Sequence, residues 1–136
     1  MTRTSFALVK YRLEQAHQAL RDGQMLRAAG SLRGALNRIY YAAFHAARAL
    51  LATKGLDASK HSGVIALFRQ YFVKTGLFDE AAAKILPRSF EERMDADYED
   101  FVEVDAATVD DVARQVQEFV TTCERWLKEH TPARHK

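Results

Sequence analysis

Apolar residues recur at intervals of three and four along most of the chain, which is the spacing that keeps an apolar stripe on one side of a helix. No segment shows the sustained apolar and polar alternation, bounded by turn residues, that predicts a strand. The pattern predicts a first helix over about 4–21, ended by the following "DG", and a long second helix over about 25–54. The later part of the second helix, 39–51, is apolar almost all round, which predicts a central helix surrounded by neighbours.

A third helix is predicted after "GLDASKHS", the segment of the chain with the strongest loop composition. Ser59 or Ser62 is the expected N-cap, because a serine hydroxyl accepts a hydrogen bond from a free backbone N–H. The helix should run to about Thr75, and Gly76 should close it.

Two further helices complete the prediction. The fourth begins near Asp79 and passes Pro87, where a kink or break is expected because the proline ring removes a backbone hydrogen bond. The fifth begins at about Ala106 or Thr108, where Thr-Val-Asp-Asp resembles a capping box with Asp in place of Glu. Apolar residues then recur at threes and fours until the tail "HTPARHK", which we expect to be frayed.

These elements predict an all-α protein, an antiparallel up-and-down bundle of four to five helices. The length of 136 residues and the 48% hydrophobic content fit one domain over 1–136, with its core over about 5–128. A single cysteine, Cys123, cannot form an intrachain disulfide, and no signal peptide pattern opens the chain, so we expect a cytoplasmic protein. No apolar run approaches the roughly 20 residues that cross a bilayer, so no membrane partner is expected.

The net charge of +2 conceals a division between two regions of the chain. Residues 1–50 carry eight Lys or Arg against two acidic residues, a balance of +6. Residues 79–111 carry twelve Asp or Glu against three basic residues, a balance of −9. A polyanion would therefore favour the first region and avoid the second.

The segment "FEERMDADYEDF", Phe90–Phe101, places one arginine among six carboxylates. On a helix Arg93 and Asp97 lie one turn apart, and Asp97 falls at the edge of the apolar stripe rather than on the acidic face. The residues of this stripe are Phe90, Met94, Tyr98 and Phe101. A carboxylate at that edge needs a partner, and Arg93 is the nearest cation. The pair is therefore either a structural polar lock or part of a functional site.

A second candidate cluster lies on the second helix. Arg38, Tyr41 and His45 share a face, with Arg48 one turn beyond. Two arginines and a histidine beside aromatic rings suit a phosphate and a stacked base. The same residues also suit helix–helix packing, so both interpretations stay open.

Other site chemistries fit the sequence poorly. "EQAH" has the Glu-x-x-His spacing of a di-iron bundle but lacks the second copy that such a site needs. Cys123 lies inside the apolar repeat of the last helix, which predicts a core residue rather than a nucleophile. There is no glycine-rich phosphate loop. We expect no metal and no cofactor.

The stretch "NRIYYAAFHAARALLATKGL", Asn37–Leu56, resembles the HEPN domain, a family named for nucleotide binding in higher eukaryotes and prokaryotes. "KHSGVIALFRQYFVKTGLF", "FEERMDADYEDF" and the closing amphipathic helix extend the resemblance to roughly residues 5–128. The resemblance implies a helical bundle, commonly a homodimer, of the kind often encoded beside a minimal nucleotidyltransferase as a toxin and antitoxin pair.

Many HEPN proteins are metal-independent ribonucleases, and the resemblance implies where such a site would lie. Their motif is an arginine, four to six residues, then a histidine, often followed two residues later by tyrosine. The corresponding place here is "RMDADY", in which Asp97 and Tyr98 follow Arg93 and no histidine is present. Arg38 and His45 match the arginine–histidine spacing outside the usual position. The residues expected to bind nucleotide or RNA are Arg38, Tyr41, His45, Arg48, Lys60 and His61.

The leading hypothesis is a HEPN-family nucleotide-associated module, dimeric and paired with a nucleotidyltransferase. Arg93, Asp97 and Tyr98 would form its centre, and Tyr98 is the candidate for nucleotide transfer. A metal-independent ribonuclease toxin with a composite dimer site, or a non-catalytic dimerising scaffold, remains the alternative.

Overall fold

The computed structural model describes residues 3–131, and side-chain surroundings from residue 5 onward. Its elements are α1 Arg3–Ala28, α2 Leu32–Ala52, α3 His61–Phe68, α4 Glu80–Tyr98 and α5 Ala106–His130, with a π-helical turn Arg69–Val73 continuing α3. No strand occurs in this part of the chain, so the predicted all-α bundle of four to five helices is confirmed. None of the helices within 3–131 is both long and apolar enough to cross a membrane.

Helix α2 lies at the centre of the bundle and contacts each of the other four helices. Seven of its thirteen buried residues are alanines, so neighbouring helices can approach its backbone closely. Larger side chains fill the rest of the core, among them Tyr40, Leu50, Phe68 and Phe119. The prediction of a central helix over 39–51 is therefore confirmed.

Helix α1 differs from its prediction at the C-terminal end. It passes through the "DG" at residues 22–23 and ends at Ala28. A Cβ on Gly23 would lie 2.8 Å from Ile39 Cγ1, so this glycine permits close packing of α1 on α2 rather than ending the helix. The chain turns at Gly30, whose φ is +83°, and α2 begins at Leu32 rather than near residue 25.

The predicted serine caps of α3 are wrong. Lys60 occupies the N-cap position, and its side chain makes no capping hydrogen bond. After Phe68 the helix loosens into the π-helical turn, which buries Phe72 against the core. Gly76 then ends the segment with a φ of +83°, as predicted.

Helix α4 begins as predicted, because Asp79 caps it by accepting a hydrogen bond from the Ala82 N–H at 2.8 Å. It continues through Pro87 as one helix, so of the predicted kink or break, the break is absent. The flanking Ala83 and Leu86 are buried, and their packing compensates for the one backbone hydrogen bond that proline removes.

The end of α4 corrects the predicted apolar stripe. Phe90 and Met94 are partly buried, but Tyr98 is 66% exposed and Phe101 is fully exposed. The helix ends at Tyr98 and Phe101 has a positive φ of 63°, so helical spacing no longer applies to it.

Helix α5 begins at Ala106, one of the two predicted positions, but its cap is Asp105. The Asp105 carboxylate accepts a hydrogen bond from the Thr108 N–H at 2.7 Å, so Thr108 is a donor in the first turn rather than the cap. Cys123 is buried in the core as predicted, and burial raises the pKa of its thiol. Residues 132–136 of the predicted frayed tail lie outside the described residues.

Candidate functional site

Arg93 lies on the side of α4 that packs on α2, and its side chain is only 12% exposed. Its Nε donates a hydrogen bond to Asp97 Oδ2 at 3.1 Å, one helical turn further on. The side chain of Asp97 is 25% exposed, so neither partner of this pair is freely solvated. The structure thus brings the two residues together in the pair that helical spacing implied.

Three tyrosine rings surround the Arg93 guanidinium. Its carbon lies 5.8 Å from the ring centre of Tyr40, 5.6 Å from that of Tyr41 and 5.7 Å from that of Tyr98. A cation at such distances is attracted by the ring quadrupole. Two of the rings come from α2 and one from the last turn of α4, so Arg93 occupies the seam between these helices.

A chain of polar contacts connects this pair to α2. Asn37 Nδ2 donates to Asp97 Oδ2 at 3.4 Å, and Asn37 Oδ1 accepts from Arg38 Nε at 3.2 Å. The Arg38 guanidinium carbon lies 4.8 Å from the centre of the Tyr41 ring. Arg38 and Tyr41 therefore belong to the same cluster as Arg93 and Asp97, although the sequence placed them in a separate one. We call this cluster, where α2 packs on α4, the Arg93 corner.

His61 comes to this corner from the start of α3. Its Nδ1 lies 2.6 Å from the buried hydroxyl of Tyr40, and its ring is stacked on Phe90 at 5.8 Å. Burial, and then the charge of Arg93, lowers the pKa of His61. Burial raises the pKa of Tyr40. Both groups are therefore neutral near pH 7, although the charge of Arg93 acts on each of them.

Arg48 belongs to a different cluster. Its Nη2 and the Nη2 of Arg12 lie 2.9 Å and 3.0 Å from Asp57 Oδ2, in the loop before α3. Arg12 is 7% exposed and also donates to the Arg48 carbonyl at 3.0 Å, so this network fastens the loop to α1 and α2. The structure therefore separates Arg48 from the Arg93 corner.

His45 lies between the two clusters, with its ring 5.9 Å from that of Tyr41. Burial, followed by the charges of Arg48, Arg38 and Arg12, lowers its pKa to about 4. It is a neutral imidazole in positive surroundings at pH 7. Lys60, the remaining predicted binding residue, is exposed at the start of α3.

The histidine of "EQAH" takes part in a contact between α1 and α5. His17 of "EQAH" pairs with Glu124 at 3.1 Å instead of facing a second carboxylate–histidine set. No group of three or more metal-ligating side chains occurs among the described residues.

The surroundings of Arg93 are strongly acidic. Residues 91–105 carry eight carboxylates against this one arginine, a balance of −7. A polyphosphate approaching along α4 would be repelled, whereas the α2 side of the corner presents Arg38 and uncharged rings. An anionic ligand would therefore approach from the α2 side.

Four residues of these clusters were not predicted from the sequence: Asn37, Tyr40, Arg12 and Asp57. Asn37 and Tyr40 stand in the apolar and aromatic run of α2, and nothing in their spacing distinguishes them from packing residues. Arg12 and Asp57 are 45 positions apart. A buried arginine on an amphipathic helix signals that some carboxylate must face it, but not which one.

The fold and the corner define a class: a small helical bundle in which α4 presents an arginine, an aspartate and a tyrosine against an aromatic central helix. The HEPN domain family matches residues 9–126. The chain therefore belongs to the HEPN family, as the three resembling segments implied.

Related proteins support this assignment. A "UPF0332 protein" of Thermotoga maritima is 38% identical over 122 residues, which cover 90% of this chain and 92% of that protein. "Putative toxin MJ0605" of Methanocaldococcus jannaschii is 42% identical over 86 residues, 63% of this chain and 64% of that protein. "Putative toxin MJ0142" of the same organism is 28% identical over 115 residues, covering 85% and 78%.

Proposed function

We propose that this protein is the HEPN half of a toxin–antitoxin-like pair, and that a nucleotidyltransferase partner transfers a nucleotide to Tyr98. Membership of the HEPN family and the toxin names of two relatives support a toxin-like module. The observation that carries the site is the position of Tyr98, 66% exposed and with its ring 5.7 Å from Arg93.

The chemistry follows from the surroundings of the tyrosine. The Tyr98 oxygen would attack the α-phosphorus of a nucleoside triphosphate, form a phosphodiester and release pyrophosphate, while the phenolic proton passes to a base of the partner. Arg93 would attract the phosphate and orient the ring. Because Arg93 is held by Asp97 and by two rings of α2, it meets the phosphate already positioned.

The experiment is an intact-mass measurement after incubation with a minimal nucleotidyltransferase of the same organism, ATP and Mg²⁺. We expect the mass of one or more AMP residues to be added to the wild type and none to Tyr98→Phe. Tyr11→Phe is the matched control, because Tyr11 is similarly exposed at 59% but lies on α1. An unmodified wild type, or modification that persists in Tyr98→Phe, would refute the proposal.

A second candidate function is metal-independent RNA cleavage, and the position of His61 near Arg93 favours it. The segment after Arg93 has no histidine, yet α3 brings a neutral imidazole beside the rings that hold Arg93. A neutral imidazole can accept a proton from a ribose 2′-hydroxyl, and a guanidinium can stabilise the charged transition state.

This candidate predicts cleavage of single-stranded RNA in EDTA that is lost in both Arg93→Ala and His61→Gln. His130→Gln is the control, since His130 is stacked on Trp126 near the end of α5. If wild-type protein leaves single-stranded and structured RNA intact, ribonuclease activity is excluded, and the nucleotide-transfer proposal is judged separately by the mass measurement.

A further inference from the structure

The turn that follows α4 presents its largest apolar side chain to solvent. We call residues 99–103 the Phe101 turn, which begins directly after α4 ends at Tyr98. Phe101 is fully exposed, and within residues 3–131 it is the only residue other than glycine with a positive φ. Residues with a side chain adopt this left-handed conformation at a cost, so the surrounding structure has to hold them in it.

The Phe101 turn is anchored to the bundle. Val102 and Val104 are half-buried, and together with Leu36 of α2 they line a small cleft beneath the turn. The Arg33 guanidinium donates a hydrogen bond to the Val102 carbonyl, which ties the turn to the start of α2. The backbone is therefore fixed while the ring of Phe101 stands outside, so a partner that buries the ring has little to order.

The ring is surrounded by carboxylates. Glu99, Asp100 and Glu103 are all exposed, and none of them has an ion-pair partner among residues 3–131. The Phe101 turn carries no basic residue. An aromatic ring with an acidic rim is repelled by nucleic acid and by anionic lipid, and is complementary to an apolar protein pocket rimmed by Lys and Arg. Such cations can also lie over the face of the ring.

The Phe101 turn lies beside the tyrosine of the proposed nucleotide transfer. Phe101 follows the exposed Tyr98 by three residues, so their Cα atoms are at most about 11 Å apart. A protein that brings a nucleotide to the Tyr98 hydroxyl therefore covers the Phe101 turn as well.

We propose that the Phe101 turn is the docking element for the nucleotidyltransferase partner, whose surface at this place is an apolar pocket rimmed by Lys and Arg. Phe101 fills the pocket, and the carboxylates of the turn pair with the rim and set the orientation. The identity of the partner rests on the proposed function, whereas the chemistry of its surface follows from the turn itself. Phe101 touches no reacting atom, so its role is binding and not catalysis.

The first test measures binding to the nucleotidyltransferase of the mass measurement by calorimetry without ATP. Phe101→Asn removes the ring, and asparagine tolerates the left-handed conformation, so the unfolding midpoint should not fall. We expect this variant to weaken binding roughly tenfold to a hundredfold, the value of one buried phenyl ring. Leu77→Asn is the control, because Leu77 is 43% exposed in the turn before α4 and should not affect binding. Absence of binding by the wild type, or unchanged binding by Phe101→Asn, overturns the proposal.

The second test concerns the charges of the turn. Replacing its three carboxylates together, as Glu99→Gln, Asp100→Asn and Glu103→Gln, should weaken binding at low salt and remove most of its salt dependence. The control neutralises two exposed carboxylates of α5, Glu118→Gln and Glu129→Gln, and should keep the salt dependence of the wild type. Equal salt dependence in the wild type and the triple variant refutes the basic rim.

The mass measurement separates docking from nucleotide transfer. Phe101→Asn should raise the KM for this protein and leave kcat unchanged, because Tyr98 and Arg93 are intact. If the turn variants lose binding as expected but no AMP is added to the wild type, the transfer proposal fails and docking stands. If Phe101→Asn is modified with the KM of the wild type, the docking proposal fails and transfer stands.

Discussion

Measurements of stability can show whether the Arg93–Asp97 pair stabilises the fold, as a structural polar lock would, or is kept for a function. Exposed ion pairs contribute about 0.2–1 kcal/mol, whereas breaking a buried pair costs roughly 3–5 kcal/mol. With side chains 12% and 25% exposed, this pair lies between those limits. We therefore expect Arg93→Ala to lower the free energy of unfolding by about 2 kcal/mol, including the loss of its ring contacts.

Asp97→Asn should cost less, about 1 kcal/mol, because an amide still accepts from Asn37 and leaves no carboxylate at the C-terminal end of α4. Urea unfolding followed by circular dichroism of both single variants and the double variant gives the coupling energy, for which we expect about 1 kcal/mol. Arg114→Ala is the control, since its pair with Asp111 is on the surface and should change stability by less than about 0.5 kcal/mol.

A loss below about 0.5 kcal/mol for Arg93→Ala would refute the lock. In that case the guanidinium contributes little to folding, and its position between α2 and α4 must be explained by a ligand. If Arg93→Ala shows the expected stability loss and the mass measurement also finds no nucleotide added to it, the same side chain has both a structural and a functional role.

Three further predictions concern the rest of the bundle. The hydrogen bond from Arg48 lowers the pKa of Asp57 to about 2. The contribution of the ionised Asp57 to the free energy of unfolding, about 1 kcal/mol for a half-exposed carboxylate, is therefore present above pH 4 and lost as pH falls toward 2. The wild-type advantage over Asp57→Asn in urea unfolding should shrink accordingly, and a constant difference from pH 7 to pH 3 would contradict this. The pKa of His45 is about 4 in the folded protein and 6.5 in the unfolded chain, so the free energy of unfolding should fall as pH is lowered from 6.5 to 4, and should fall less in His45→Asn. An NMR titration of His45 with a midpoint near 6.5 would contradict this prediction. Gly23→Ala should lower the unfolding free energy by about 1–2 kcal/mol, because its Cβ would meet Ile39 Cγ1 at 2.8 Å and overpacking outweighs the gain in helix propensity. A variant more stable than the wild type in urea unfolding would show that α1 and α2 can shift apart at little cost.

The places where sequence interpretation failed have a common cause. "DG" usually ends a helix, but Gly23 faces α2, where absence of a side chain is what packing requires. A kink or break was expected at Pro87, but α4 continues through it as one helix whose Ala83 and Leu86 are buried in the core. In both cases local preference was outweighed by contacts with residues distant in sequence.

The candidate site shows the same division. Arg93 and Asp97 could be paired from the sequence because they lie one helical turn apart and share a side of α4. Nothing in the sequence places Asn37 on Asp97, or His61 on Tyr40, since those contacts join residues 60 and 21 positions apart. Tyr98 and Phe101 were expected in the core, and only the end of α4 and the positive φ of Phe101 expose them.

By itself, the sequence determined the helical class, the central place of the second helix, the family and the acidic segment with its single arginine, because each is a property of composition, spacing or segment order. Tertiary structure alone decided which helices face one another, and with them the corner shared by α2, α3 and α4, the loop network of Arg12, Arg48 and Asp57, and the exposed Phe101 turn. Local periodicity fixes the face that a helix buries, but which residues meet across the interface depends on how the helices pack.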